Sequence, residues 1–234
     1  MFDYLASRPT IRHPHIALEE IINGSDGPPA RPGFHDAIGF IVRASCPAGN
    51  ILEFLSACPK RDSEKLSLVA QVASALHYLH SLDVVHGNVC PTNILITDNN
   101  QAVLTDTGIY SAIVDYIFAP SGRVPIPPSA PYKPPEELKE SAEEVVARTT
   151  DKDVYSLASS TYEIMSGLKP FANMRPYTCV VEITRRGHLS LAQPKEINVG
   201  LWQLLRACWA IDPGDRPTMQ DAVGQLETLL AEEV

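Results

Sequence analysis

The stretch His86–Ile96, HGNVCPTNILI, read together with Leu104–Gly108, LTDTG, decides how this chain is understood. From Asp83 to Ile96 the pattern predicts a strand (VV), a polar turn and a second strand (ILI). Asn99–Asn100 turns the chain again, and Ala102–Leu104 is expected to pair back in a hairpin-like unit closed by TDTG.

Upstream, Ser63–Leu82 carries Leu66, Val69, Val72, Ala73, Leu76 and Leu79 three and four residues apart. This is one apolar helix stripe, with Asp62 and Ser63 as capping candidates. Before it, CPAGN (Cys46–Asn50) makes a turn and ILEFL begins a helix. Ile16–Ile22 and Ala37–Ala44 read as strands separated by the loop NGSDGPPARPG. Downstream, Ile109–Pro135 has neither helical nor strand period and reads as an ordered long loop. Seven of the chain's 20 prolines fall between Pro120 and Pro135, which stiffens it. Three helices follow: Asp153–Ser166, apolar on nearly all sides and therefore buried; Leu201–Ala210; and Thr218–Glu233, with Pro217 at its start.

Composition limits the partners. The 234 residues carry 19 Lys and Arg against 28 Asp and Glu, a net charge of −9, so nucleic acid and anionic membrane surfaces are excluded as partners. No apolar run reaches the ~20 residues of a bilayer span, and no secretory leader is visible at Met1. Five scattered cysteines without a CxxC pair read as free thiols in a reducing, cytoplasmic setting.

The order of the pieces resembles the protein kinases, with the tyrosine-kinase and tyrosine-kinase-like group as the nearest likeness. RHPHI, CPAGNILEFL, ALHYLH, HGNVCPTNILI, LTDTG, YKPPEEL, DKDVYSLASSTYEIMSGLKPF and CWAIDPGDRPTM stand in that family's sequence from about Arg12 onward. HGNVC is also similar to the catalytic-loop string of Janus-type pseudokinase domains. The resemblance implies an α+β, protein kinase-like fold over 1–234. Its parts would be a truncated β-rich N-lobe remnant (1–44), a hinge (45–50) and a nearly complete, mainly helical C-lobe (51–234).

The same resemblance assigns residues. His86 stands for the catalytic-loop histidine. Asn93 and Asp106 stand for the two magnesium ligands, Ala44 and Cys46 for the hinge beside an adenine. Glu136 and Arg216 match a buried ion pair, Asp153 the anchor of the catalytic loop, and Trp209 a buried tryptophan. Four departures bear on chemistry. Asn88 replaces the aspartate that takes the substrate's proton, and an amide is no base near neutrality. Cys90 replaces the lysine facing the transferred phosphoryl group. No lysine precedes Lys60, and no GxGxxG occurs; Gly24, Gly27 and Gly33 are misplaced for one. In addition, Thr107 replaces an aromatic plug, and Asp3 or Tyr4 falls where a glutamate is usual.

Blander and competing readings stand beside these. A single DTG among helical patterns argues against an aspartic protease, which needs two such aspartates. His77 and His80 share a helix side as metal ligands would, yet read as the end of a family helix. The PxxP spacings from Pro125 to Pro134 have no Arg at the usual flanking spacing, and Ser111, Ser121, Ser129 and Tyr132 lie along the same segment. Asn93 and Asp106 read as relics of a Mg²⁺ site, with ATP and Mg²⁺ inessential. The expected function is a pseudokinase-type scaffold or allosteric module in signalling. It would bind a protein partner, such as an active kinase, by surfaces after Pro170. The alternative is a divergent ATP-dependent Ser/Thr or Tyr kinase whose small lobe is encoded upstream. A third expectation is that the apolar face of Ala37–Val42 leaves the chain in need of a cover.

Overall fold

Asn50 shows how local sequence sets the first helix. Its side chain accepts from the backbone N–H groups of Leu52 (3.0 Å) and Glu53 (3.1 Å), while Glu53 accepts from the Asn50 N–H (3.0 Å). This reciprocal cap satisfies donors that the first turn leaves free. Gly49 precedes it at φ +74°, where a Cβ would collide with the capping carboxylate.

In the computed structural model the described residues are 11–17, 19–22, 40–43, 46–107, 126–139 and 149–232. Their strands and helices are β1 (Glu19–Ile22), β2 (Phe40–Arg43), α1 (Ile51–Ala57), α2 (Asp62–Ser81), β3 (Ile94–Ile96), β4 (Ala102–Leu104), α3 (Pro135–Lys139), α4 (Thr150–Ser166), α5 (Pro176–Arg186), α6 (Val199–Cys208) and α7 (Met219–Glu232). The architecture is α+β, protein kinase-like and mainly helical. It has two antiparallel two-stranded sheets, β1–β2 (Glu19 opposite Arg43) and β3–β4 (Ile94 opposite Leu104). No helix among the described residues is long and apolar enough to cross a membrane.

The core forms around α2 and α4. The stripe of α2 is buried, with Leu66, Ala73, Leu76 and Leu79 at 0% exposure, and packs on α7, β4 and α4. Each such leucine contributes about 1.5–3 kcal/mol relative to exposure. Helix α4 is buried all round although it contains serines and a threonine. Ser159, Ser160 and Thr161 resolve that conflict by donating to the carbonyls of Tyr155, Ser156 and Leu157 four residues back (3.0, 2.8 and 2.8 Å). The RHPHI segment docks on this body. Leu104 donates to His15 O and accepts from Ala17 N–H (both 2.9 Å), while the His13 ring stacks on Tyr78.

Several boundaries differ from the sequence reading. Val84–Val85 is irregular rather than a strand, because the chain leaves α2 through Asp83 at φ +55°. The position before α2 is Arg61, whose N–H donates to Glu64, so Asp62 and Ser63 lie inside the first turn. Helix α4 starts at Thr150 instead of Asp153. Helices α3 and α5 were not expected. Pro135 and Pro176 read as breakers in sequence, but each occupies the first helical position, where its missing N–H is not needed. Asp3, Tyr4, Gly24, Gly27, Gly33, Ser111 and Ser121 lie outside the described residues, as do most of the proline-rich loop and residues 37–39 of Ala37–Val42.

Candidate functional site

Asp153, one turn into α4 and 1% exposed, organises the loop between α2 and β3. Its two carboxylate oxygens accept from the backbone N–H groups of His86 and Gly87 (both 2.8 Å). Oδ2 also meets His80 Nε2 at 2.9 Å. Gly87 stands at φ +75°, so the chain can present two successive N–H groups to one carboxylate. His86 is fully buried. Its Nδ1 accepts from the Asn88 N–H (3.2 Å) and its Nε2 donates to Thr105 O (2.8 Å), which assigns the Nε2–H tautomer. His80 is thereby tied to Asp153, while His77 lines a cavity of 310 Å³ between the ends of α2, α4 and α7. Among the described residues no three His, Cys, Asp or Glu converge as a metal cluster.

The loop brings Asn88, Asn93 and Asp106 together. Asn88 Nδ2 donates to Asp106 Oδ2 at 2.9 Å, and Asn93 Nδ2 donates to Asn88 O at 2.9 Å and reaches the same carboxylate oxygen at 3.4 Å. Asp106 sits at φ +65°. A carboxylate only accepts, so the Asn88 amide must turn its nitrogen toward Asp106. Its oxygen is then left buried without a hydrogen-bond partner. Mg²⁺ requires several oxygen ligands in octahedral array. As placed, two amide nitrogens occupy the approach to the single carboxylate, and this arrangement does not fit the ion.

Cys90 is 3% exposed, with Sγ 3.2 Å from Thr92 Oγ1. Desolvation pushes its thiol up from the ordinary range, so the position carries a neutral group. A cation that the sequence reading missed lies nearby. Lys133, 5% exposed, reaches Gly87 O (3.4 Å) and pairs with Glu137. Cys46 lies in the turn before α1, where its carbonyl accepts from Gly49 N–H (3.0 Å). Ala44 lies outside the described residues.

Around the loop the frame is dense. Arg216, its side chain fully buried, holds Glu136 through two hydrogen bonds (2.7 and 3.0 Å), meets Asp151 at 3.3 Å and donates through Nε to Ala210 O. Trp209 donates to Ser159 Oγ (3.0 Å) and stacks on His188 at 5.3 Å. Sequence reasoning overlooked His188, Tyr155 and Glu163. His188, fully buried, donates through Nε2 to Pro131 O (2.6 Å) and accepts at Nδ1 from the Tyr155 hydroxyl (2.9 Å). Burial brings its pKa down to about 3. The Tyr132 hydroxyl donates to Glu163 at 2.5 Å, and burial, followed by that carboxylate, raises its pKa. A lone His between Gly187 and Leu189 offered no signal. The tyrosine in YKPPE was read in sequence only as one of four hydroxyl residues along the proline-rich segment.

Comparison with known proteins gives these features a context. The family described as protein tyrosine and serine/threonine kinase matches residues 34–226. The macrophage colony-stimulating factor 1 receptor 2 of Takifugu rubripes is 31% identical over 169 residues, covering 70% of this chain and 16% of that protein. The tyrosine-protein kinase ABL2 of Mus musculus is 24% identical over 197 residues, covering 81% and 16% respectively. The chain thus spans about a sixth of the length of these relatives.

Proposed function

This chain belongs to the protein tyrosine and serine/threonine kinase family, and from that premise we propose that it is a catalytically impaired, pseudokinase-type domain acting in signalling by binding another protein. The observation that carries this reading is the Asn88–Asp106 hydrogen bond of 2.9 Å. In the family, the position of Asn88 supplies the proton acceptor. Here it holds an amide whose nitrogen faces Asp106, the carboxylate at the position that binds metal in the family. Absence of a positioned base lowers a rate by about 10²–10⁴, and a neutral Cys90 removes one positive charge from the phosphoryl clamp. The frame around Asp153, Glu136 and Arg216 supports a folded surface that persists without chemistry.

The test is direct. The purified chain, freed of contaminating kinases by repeated chromatography, is incubated with radiolabelled ATP, Mg²⁺ and peptide mixtures. No transfer above a no-protein blank is expected, and ATP with Mg²⁺ should leave the thermal midpoint unmoved. Transfer that co-purifies with the chain would overturn the proposal.

A second reading draws support from the sequence order of His86, Asn93 and Asp106, which is the order expected of an active kinase. It is a divergent kinase whose small lobe is supplied from outside this sequence. An Asn88→Asp variant joined to such a lobe should then transfer phosphate; silence in that assay would remove this reading.

A further inference from the structure

Ten consecutive residues, Leu168–Tyr177, carry three of the six large apolar side chains that stand exposed among the described residues: Leu168 at 55%, Met174 at 39% and Tyr177 at 72%. The same stretch contains Lys169 and Arg175 and no acid, in a chain whose net charge is −9. Neither cation forms an ion pair among the described residues. At the far end of α5 the exposed Arg185 and Arg186 continue the basic character. Glu182, the single carboxylate between Leu168 and Arg186, is already met by Arg186 at 3.5 Å.

This face is held from beneath. Phe171, Cys179 and Ile183 form a small buried cluster against Leu138 and Leu191. Ala172 N–H bonds to Lys169 O (3.2 Å) and Met174 N–H to Phe171 O (2.9 Å). Apolar anchors presented on a fixed turn lose little conformational freedom when covered, which favours binding.

We infer that this face docks an acidic polypeptide segment with apolar side chains between its carboxylates, a partner assignment that rests on the binding role proposed above. Charge complementarity selects the occupant. A segment of that kind satisfies Lys169 and Arg175 while covering Leu168, Met174 and Tyr177. An anionic bilayer is a poorer match, because lipid recognition of this kind takes a cluster of about four to eight cations and only Lys169 and Arg175 stand among the apolar anchors. A second copy related by a two-fold axis would set the basic patch against itself.

The test uses the full chain and a fluorescent synthetic peptide alternating glutamate with leucine, followed by anisotropy. Binding is expected, weakening as salt rises, with a lysine–leucine peptide silent. The double variant Lys169→Glu/Arg175→Glu should bind the acidic peptide at least about tenfold more weakly and gain affinity for the lysine–leucine peptide. Tyr177→Ala should weaken the acidic peptide without changing the salt slope. Circular dichroism confirms that each variant is folded, and the gain of the swapped peptide cannot come from unfolding. Unchanged affinity in the double variant, tighter binding to phosphatidylserine vesicles than to the peptide, or self-association that buries Tyr177 would each overturn the inference. The radiolabel assay is run in parallel on the same preparations. Phosphate transfer with peptide binding intact would remove the non-catalytic reading and keep the docking face. No transfer and no peptide binding would do the reverse.

Discussion

Asp153 and Asp106 both bond to the same loop and are treated differently by it. Asp153 receives two backbone N–H groups and His80, at 2.8, 2.8 and 2.9 Å. Asp106 receives two side-chain amides at 2.9 and 3.4 Å, and one of those amides leaves its own oxygen buried and orphaned. The Asp153 side of the loop is a mechanical anchor in which donors and acceptors match. The Asp106 side sets two amide nitrogens against one carboxylate oxygen. The backbone donors that hold the loop are thus satisfied at Asp153, while the contact to Asp106 leaves the Asn88 oxygen unmet.

The largest expected effect breaks the well-satisfied side. Asp153→Ala leaves two buried N–H groups without partners, each at about 1–3 kcal/mol, so urea unfolding should show the midpoint collapse. A variant that melts within ~0.5 kcal/mol of the parent would erase the contrast. Next comes the Arg216 network. Arg216→Ala strands Glu136 and Asp151 and should lower stability by about 3 kcal/mol. Arg216→Lys should recover only part of that, because an ammonium cannot bond Glu136 through two parallel N–H groups.

A third test sharpens the contrast through pH. His188 has a folded pKa of about 3, below its unfolded value of ~6.5. The unfolded chain therefore binds a proton first, and the stabilisation is complete above ~6.5 and lost as pH falls toward 3. Between pH 6.5 and 5.5 the parent should approach a loss of about 1.4 kcal/mol per pH unit relative to His188→Gln. Parallel curves for the two would rule out the buried neutral ring.

Smaller effects belong to the other side of the loop. Asn88→Asp sets two carboxylates against each other and should destabilise by about 1–2 kcal/mol at neutral pH. The loss should shrink in acid, where the pair shares a proton. Cys90→Ala should change stability by less than about 1 kcal/mol.

The helical body was legible because its signals are local. The stripe Leu66–Leu79 and the apolar Asp153–Ser166 each need only a few neighbouring residues. The β3–β4 hairpin was legible for the same reason. Helix α5 was not, because Pro176 and the β-branched TCVVEIT run argue for a break or a strand until Phe171 and Leu191 supply the surface that buries Cys179 and Ile183. In the site, Asn88, Asn93, Cys90 and Asp106 were found by their order along the chain. Their hydrogen-bond directions were not, since which atom of an amide faces a carboxylate is settled by residues 18 and 13 positions away. His188 and Lys133 carried no local mark. Each acts on a carbonyl far off in sequence, Pro131 or Gly87.

The stacking of His188 on Trp209 has a practical consequence. Pro131 sits at the end of a proline-rich segment, and its carbonyl is held by the ring that lies 5.3 Å from the indole. Any event that pulls the segment away must release that ring, and the indole's emission will register it. The chain carries its own optical gauge of whether the segment is seated, readable in a cuvette without a dye.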